Sequence, residues 1–434
     1  MPPAFLDKAQ TDAGVRRNNC VYSPLVVLWL LVMQRLHGGV SLEAAVLELL
    51  RGLPASFWPQ PCKRIREWQE QGKTPSSHTG AYNQARQSLP LSIVQQSCDR
   101  IFQQLVIRMG PAGSGSAQSF VLDGTSVRMA HSSALCELYP PGSNQHGEAH
   151  WPLLRMLVAH DLGTGLAMRP EWGAMHGAEA VSEQGLLERA IDRLPSGSTV
   201  LGDANFGVFS VAYAAGQRAH PVVLRLTAER ARRLAGGPLR HGINRALVWK
   251  PSRDDRRNHP QLPPEACVKG RLIVRQVQPD NGAASLLLAI FTTLPLPWQE
   301  VFGLYGQRWA IETDLRTLKS TLCLDQLTCS TPDMVAKEIE MGIAAYNLVR
   351  AMIGIASEQS GIPSRGYSFT KVRRVIQTFG PALADAPNPQ AAQRIFDQML
   401  QYIQQSKLPH RTRKRPSYPR EVWTRGATFP SRKR

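Results

Sequence analysis

Apolar residues recur at helical spacing through the first quarter of the chain. The segment SPLVVLWLLVMQRL is apolar on most faces, and SLEAAVLELLRGL has an apolar stripe behind Ser41, a residue type that caps helices. The segment QARQSLPLSIVQQSCDRIFQQLVIRM adds one or two helices. Such short helices form either a helix-turn-helix-like DNA-binding unit or a plain helical bundle, and periodicity does not separate the two. A linker rich in Gly and Ser follows at 111–118.

Alternating apolar and polar residues then indicate strands. The segments SFVLDGTSVRM and LLRMLVAHDL, with a turn at 163–165 leading into LAMRPEW, predict an antiparallel meander. Strands in STVLGDANF and PVVLRL alternate with helices at about 179–193 and 208–217. This order predicts an α/β (α+β) fold in which helices flank a mixed sheet.

A β-rich insertion interrupts this rhythm at about 228–297. Its strands are RALVWK, GRLIVRQVQ and SLLLAIFTTL, and Asn281-Gly282 is a hairpin signal between the last two. Helices return at about 299–357. We therefore expect three parts: a helical N-terminal domain at 1–112, a domain with the mixed sheet and the insertion at 113–373, and a C-terminal helix with a basic tail at 374–434.

The charge balance narrows the class of partner. The chain has 51 Lys plus Arg and 33 Asp plus Glu, a net charge of +18, which favours nucleic acid over an anionic membrane as the bound polyanion. A basic protein with no polyanionic partner is the alternative. The segment 407–434, with ten Lys or Arg and one acid, either grips phosphates or only aids solubility.

Nothing in the sequence predicts secretion or a membrane partner. The seven cysteines are scattered and lack zinc-finger spacing, which indicates reduced thiols. The N-terminus lacks a signal-peptide pattern, and the apolar run Leu25–Met33 is shorter than the roughly 20 residues that cross a bilayer. We expect a cytoplasmic, DNA-associated protein.

The segment YGQRWAIETDLRTLK has the most specific pattern in the chain. Tyr305, Arg308, Glu312 and Lys319 follow the order Tyr-x2-Arg-x3-Glu-x6-Lys. On a helix turning about 100° per residue, these four and Arg316 share an arc of roughly 80°, and an apolar stripe lies beside it. An ordinary charged helix face with i,i+4 pairs has a similar distribution, but the spacing favours a functional face.

Two upstream acids complete a possible catalytic set. Asp123 in VLDGTS and Asp203 in VLGDANFG are expected near strand ends, where they and Glu312 can meet at one edge of the sheet. Cutting a phosphodiester needs an activated water or 3′-hydroxyl and a stabilised leaving oxygen, and two Mg²⁺ ions about 3.5–4 Å apart supply both. Mg²⁺ prefers oxygen ligands, so three carboxylates suffice.

These motifs resemble those of the DDE transposases of the bacterial insertion-sequence 4 family. The family signature is the Tyr-Arg-Glu-Lys spacing, which this sequence matches at every position, and LDGTS and GDANFG match the two strand acids. The resemblance covers about 20–375, including QARQSLP, FTTLPLPW and YSFTKVRRVI, and is weakest in the insertion and the tail. It implies a ribonuclease-H-like catalytic core with a β-rich insertion, and Asp123, Asp203 and Glu312 as catalytic metal ligands.

The resemblance also implies cofactors and partners. These are two Mg²⁺ or Mn²⁺ ions per active site, the terminal inverted repeats and target DNA, and a homodimeric synaptic complex. We expect the signature residues to contact DNA: Tyr305, Arg308, Arg316 and Lys319. Some relatives flip a base onto an aromatic side chain. Trp249 is either that aromatic or, by the more ordinary interpretation, a packed hairpin tryptophan.

Other residues have simpler interpretations. Asp161 ends a strand and suits a turn, and Trp309 suits the core. His146, His150 and His160 show no recognisable zinc spacing.

Three other functions compete with transposition. A non-catalytic DNA-binding derivative would not need the complete acid set. A metal-dependent nuclease of the same fold would cut strands without joining them. A basic membrane-surface protein would need an amphipathic basic helix, which the sequence lacks.

Overall fold

The N-terminal residues fold into helices in the computed structural model, which describes residues 3–15, 20–52, 61–73, 76–109, 118–144, 147–278 and 285–409. The second helix begins at Pro24, and the Ser23 hydroxyl caps it by accepting a hydrogen bond from the Val26 amide. It is buried, as predicted. The helices are α1 (Pro3–Asp12), α2 (Pro24–Leu36), α3 (Leu42–Gly52), α4 (Lys63–Gln71), α5 (Gly80–Ser88) and α6 (Leu91–Met109).

A mixed sheet forms the centre of the molecule, which confirms the predicted class. Its strands are β1 (Ser119–Met129), β2 (Pro141–Asn144), β3 (Gly147–Asp161), β4 (Glu171–Ala174), β5 (Thr199–Gly202), β6 (Val222–Arg225), β7 (Asn244–Trp249), β8 (Val268–Val277), β9 (Leu286–Thr292) and β10 (Gln326–Leu327). The main order is β2-β3-β1-β5-β6-β9-β8-β7. Strands β1, β5 and β6 are parallel, whereas β3 and β9 run antiparallel to their neighbours in this group.

Helices cover both faces of the sheet. Neighbouring residues of β1 point to opposite faces, so Val121 joins one apolar cluster while Phe120 and Leu122 join the other. The helices after β1 are α7 (Ser133–Leu138), α8 (Glu183–Ile191), α9 (Phe209–Gln217), α10 (Ala228–Ala235), α11 (Arg253–Asn258), α12 (Trp298–Gly306), α13 (Ala310–Arg316), α14 (Pro332–Ser360), α15 (Phe369–Ala384) and α16 (Pro389–Gln405).

Helix α14 joins the N-terminal helices to the sheet. By length and composition it is the one helix among the described residues that could cross a membrane, yet 72% of its most apolar window is buried inside the protein. It also buries charged side chains, including Lys337, Glu338 and Glu340. Its residues Met334 and Met341 belong to the apolar cluster of the N-terminal helices. Helix α14 is therefore an internal helix that packs against both the N-terminal helices and the core around the sheet.

The predicted insertion extends the sheet. Strands β9, β8 and β7 continue it beyond β6, and α10 and α11 lie on either side of β7 in the chain. The Asn281-Gly282 turn lies outside the described residues, but the flanking strands pair antiparallel up to Val277 and Leu286. Linker residues 111–117 and tail residues 410–434 also lie outside the described part. The domain boundaries stay predictions.

Candidate active site

Asp123 and Asp203 lie at equivalent places on neighbouring parallel strands. β1 and β5 pair through Val121 and Leu201, and each acid lies two residues further along its chain. Asp203 follows β5 directly, as expected. Asp123 differs from the expectation, because β1 continues to Met129 along β3 and so the acid lies inside the strand. The shorter β5 leaves this part of β1 open on one side.

The surroundings of Asp123 disfavour its negative charge. Burial raises the pKa of Asp123 to about 6, and the nearby carboxylates of Asp203 and Glu183 add to this effect. The Gly124 amide, which donates to Asp123 Oδ1 at 2.8 Å, and the Arg308 guanidinium act in the opposite direction. The two strand acids and Arg308 therefore belong to one electrostatic site.

The signature segment supplies the other side of this site. Tyr305 and Arg308 are buried, and Tyr305 interacts electrostatically with both Arg308 and Asp203. Arg308 Nη2 lies 3.7 Å from Glu312 Oε1, and the Glu312 side chain is 37% exposed. Arg308 is therefore close to Glu312 and also interacts electrostatically with Asp123.

The signature does not form the uniform helix that the sequence predicted. Helix α12 ends at Gly306, and a 3-10 turn at Gln307–Trp309 and a π turn at Thr317–Thr321 flank the short α13. Arg316 is exposed and Lys319, in the π turn, is partly exposed. Their DNA contacts stay a prediction, and the single arc holds only approximately. The predicted apolar stripe is confirmed as buried or partly buried: Leu304, Ile311, Leu315, Leu318 and Leu322.

A buried ionic network fixes the orientation of α13. Asp314 accepts hydrogen bonds from Arg350, at 2.5 Å, and from Arg365, at 2.6 and 2.8 Å. The Tyr346 hydroxyl donates to the same carboxylate at 2.9 Å. Burial alone would raise the pKa of Asp314, but Arg350, His160 and Arg365 outweigh it and hold the pKa below its usual value. Asp314 is thus a charged anchor two residues beyond Glu312.

Sequence reasoning missed Glu183. Glu183 is the first residue of α8, and its charge acts to raise the pKa of Asp123. Its carboxylate accepts a hydrogen bond from Asn205 Nδ2 at 2.5 Å. No spacing rule links an acid at a helix start to a strand 60 residues earlier. The small residue Gly124 beside Asp123 was the only local sign of a close approach.

The donor set suits a hard divalent cation. Among the described residues, no three Asp, Glu, His or Cys side chains stand close enough together to hold a metal ion, and Glu312 pairs with Arg308. The carboxylates are nevertheless the oxygen ligands that Mg²⁺ prefers. The buried Tyr305 hydroxyl and Arg308 Nε have no hydrogen-bond partner among the described residues, so donors for a ligand are available beside the acids.

Two tryptophan interpretations change. Trp249 is 4% exposed and packs edge-on against Phe209 and Phe291, with ring centroids 6.0 and 4.8 Å away. This corrects its assignment as a nucleic-acid contact and supports the packed alternative. Trp309, expected in the core, is 62% exposed, and the Arg308 guanidinium lies 5.4 Å from its ring centroid.

The remaining predictions for polar residues can be followed in the structure. Asp161 Oδ2 accepts hydrogen bonds from the Thr164 amide and hydroxyl at 2.8 and 2.6 Å, which confirms its turn role. His160 is buried beside Asp314, and burial lowers its pKa to about 4. His150 stacks on His131, with ring centroids 4.7 Å apart, and His146 lies outside the described residues.

Comparison with known proteins identifies the family of the chain. A family model described as a transposase DDE domain matches residues 115–348, which include Asp123, Asp203, Glu312 and Glu183. The transposase InsG for insertion sequence element IS4 of Escherichia coli (strain K12) is 25% identical over 323 residues, covering 71% of this chain and 68% of the relative. The chain belongs to the DDE transposase family, within the insertion-sequence 4 group, and is a DNA-acting transposase with a nucleic-acid-cleaving catalytic domain.

Proposed function

We propose that this transposase binds the terminal inverted repeats of a mobile DNA segment and catalyses cut-and-paste transposition there. Asp123, Asp203 and Glu312 would hold two Mg²⁺ or Mn²⁺ ions. The observation that carries the proposal is the meeting of Asp123 and Asp203, from adjacent strand positions, with Tyr305 and Arg308 of the signature segment.

The protein groups have separate roles in this proposal. Asp123 and Asp203 bind the ions, which when bound activate the attacking water or 3′-hydroxyl and stabilise the leaving oxygen. Arg308 forks two hydrogen bonds onto the scissile phosphate and holds it in line for attack. The unpartnered Tyr305 hydroxyl donates to the same phosphate. Arg316 and Lys319 bind the DNA backbone further along the segment.

The Arg308–Glu312 ion pair suggests how DNA binding would complete the metal site. A phosphate that takes the Arg308 guanidinium competes with Glu312 for it, because both are anions. Glu312 is then free to turn towards Asp123 and Asp203. The Glu312 carboxylate, which is 37% exposed, can exchange the guanidinium for water when the pair separates. We therefore infer that Glu312 joins Asp123 and Asp203 when DNA binds, whereas the two strand acids bind a cation without it.

The insertion and the tail supply DNA affinity in this proposal. Residues 228–278 carry twelve Lys or Arg and four acids, and 407–434 carry ten and one. Clusters of this kind neutralise phosphates without reading sequence. The N-terminal helices would recognise the terminal repeats, and two copies of the chain would pair the two ends in a synaptic complex.

Cleavage of end-containing DNA by single-acid variants tests the proposal. Asp123→Asn, Asp203→Asn and Glu312→Gln should each abolish Mg²⁺-dependent strand cleavage while binding of the end survives. Ca²⁺ should support binding with little cleavage. The exposed acid Glu179 provides the control, since Glu179→Gln should cleave normally. Near-normal cleavage by any of the three variants would remove that residue from the metal site.

A strand-joining assay separates transposition from simple hydrolysis. Cleaved ends with a free 3′-hydroxyl and a supercoiled target plasmid should yield joined products with the wild-type protein and Mg²⁺. Cleavage without any joined product would make the protein a nuclease and overturn the proposed transposition chemistry.

A further inference from the structure

Glu183 lies close to the residues that follow the two strand acids, Gly124 after Asp123 and Asn205 near Asp203. It begins α8 after the cap Ser182, at the end of the helix that favours negative charge. Its side chain lies against the backbone of Gly124, and a Cβ atom at that position would collide with the Glu183 carboxylate. The absence of a side chain at Gly124 therefore leaves room for this close approach of Glu183, and a larger residue there would displace the carboxylate.

A chain of hydrogen bonds runs from Glu183 to Asp203. Glu183 Oε2 accepts from Asn205 Nδ2 at 2.5 Å, and Gln184 Nε2 donates to Asn205 Oδ1 at 2.8 Å. The Asn205 amide in turn donates to Asp203 Oδ1 at 2.8 Å. Glu183 and Gln184 at the start of α8 therefore hydrogen-bond the side-chain amide of Asn205, and the backbone N–H of Asn205 donates to Asp203.

These contacts contribute little to the core of the protein. Asn205 is exposed and Glu183 is partly exposed, so neither side chain fills an apolar cluster. Substitutions at such surface positions usually change the stability of a protein only slightly. The Tyr305 hydroxyl, which is buried and interacts electrostatically with Asp203, has no hydrogen-bond partner among the described residues and is available to a ligand of the same site.

We propose that Glu183 is a positioning residue that orients the Asp203 carboxylate for a divalent cation through Asn205. The inference rests on the proposed metal-binding role of Asp123 and Asp203. Partners that hydrogen-bond around a metal ligand set its orientation, and their loss typically costs 10–100-fold in metal affinity. An amide at position 183 can accept the same hydrogen bond from Asn205, so the carboxylate charge is not needed for this role.

Mn²⁺ binding to the full chain without DNA tests the inference, measured by isothermal titration and by electron paramagnetic resonance of free Mn²⁺. Glu183→Ala and Asn205→Ala should each weaken Mn²⁺ affinity by about 10–100-fold. The double variant should be no weaker than either single one, because both remove the same link. Glu183→Gln should retain most of the affinity. Glu179→Ala, which removes an exposed acid just before α8, should bind as the wild type does.

Several results would overturn the inference. Unchanged affinity in Glu183→Ala would remove the role, and additive losses in the double variant would break the link through Asn205. A loss in Glu183→Gln as large as in Glu183→Ala would make Glu183 a direct ligand instead. The variant Asp123→Asn distinguishes failure of the metal site from failure of the positioning role. If Asp123→Asn binds Mn²⁺ normally, the proposed metal site is wrong. If Asp123→Asn loses Mn²⁺ affinity while Glu183→Ala keeps it, only the positioning role of Glu183 is refuted.

Discussion

Arg308 is the residue through which the signature segment reaches the strand acids. Its Nη2 lies 3.7 Å from Glu312 Oε1, and its charge acts to lower the pKa of Asp123. Its guanidinium also lies over the rings of Tyr305 and Trp309. A buried guanidinium with an unpartnered Nε has capacity for another acceptor. Its work on DNA would be to place a phosphate, not to create affinity.

Replacing Arg308 should therefore separate catalysis from binding. Arg308→Ala should reduce single-turnover cleavage far more than end binding, and Arg308→Lys should rescue only part, because the planar fork is lost. Cleavage of intact and pre-nicked ends, run beside a gel-shift assay, measures both. If Arg308 and Glu312 are only a surface ion pair, Arg308→Ala will cleave at the normal rate.

The raised pKa of Asp123 makes a prediction about stability and pH. The folded pKa of about 6 exceeds the ordinary 3.8, so ionisation opposes folding in the metal-free protein. The contribution of this carboxyl is fully present below pH 3.8 and is lost as the pH rises through 6. In EDTA, Asp123→Asn should melt above the wild type at pH 7.5 but not at pH 4. The same difference in melting temperature between variant and wild type at both pH values would contradict this. The variant Asp325→Asn, which changes a half-exposed acid, is the control.

Sequence reasoning identified individual residues where the chemistry depends on spacing along the chain. The Tyr305–Lys319 pattern and the two strand acids could be read directly. Glu183 could not, because its role depends on how α8 docks against Gly124. Trp309 was expected in the core, yet it lies in the 3-10 turn Gln307–Trp309 and is 62% exposed.

The elements were predicted better than their irregularities. The helix–strand order and the β-rich insertion could be read from periodicity, since each apolar face needs a partner. The 3-10 and π turns around α13 could not, because they reflect how the segment packs and not its composition. Their effect is to make α13 a short helix whose direction depends on the Asp314 anchor.

Breaking this anchor should disturb α13 as a unit. Asp314→Asn removes the counter-charge of the buried Arg350 and of the partly exposed Arg365. The loss of one partner from a buried ion pair costs about 3–5 kcal/mol. Urea unfolding should show a destabilisation of that order, with slower cleavage at saturating Mg²⁺. Asp325→Asn, which removes a half-exposed acid, should unfold like the wild type. A variant Asp314→Asn as stable as the wild type would show that the network does not hold the helix.

At the scale of the whole molecule, the excess positive charge is unevenly placed. Removing residues 407–434 should make the dependence of DNA affinity on salt shallower by several units of log–log slope, since each neutralised phosphate contributes about −0.9. Fluorescence anisotropy over a range of salt concentrations measures the slope. An unchanged slope would leave the tail as a solubilising segment.

The N-terminal helices should not be dispensable for folding. Glu338 of α14 pairs with Arg35 and Arg86, and Lys337 Nζ donates to the Arg86 and Gln87 carbonyls at 3.1 and 2.8 Å. A chain lacking residues 1–110 would expose this side of α14. It should aggregate or melt well below the full chain, as dynamic light scattering and calorimetry would show. A truncated chain that stays monodisperse and melts normally would support the predicted boundary at 112.

The double role of α14 has a consequence for anyone who wishes to retarget such an enzyme. A hybrid that joins the DNA-recognition helices of one transposase to the catalytic half of another is most simply cut at the linker. In this protein, a junction at the linker would pack N-terminal helices from another transposase against the Met334, Met341 and Glu338 side chains of this chain. A functional graft must therefore be discontinuous, with the matching face of α14 transferred together with residues more than 200 positions earlier in the chain.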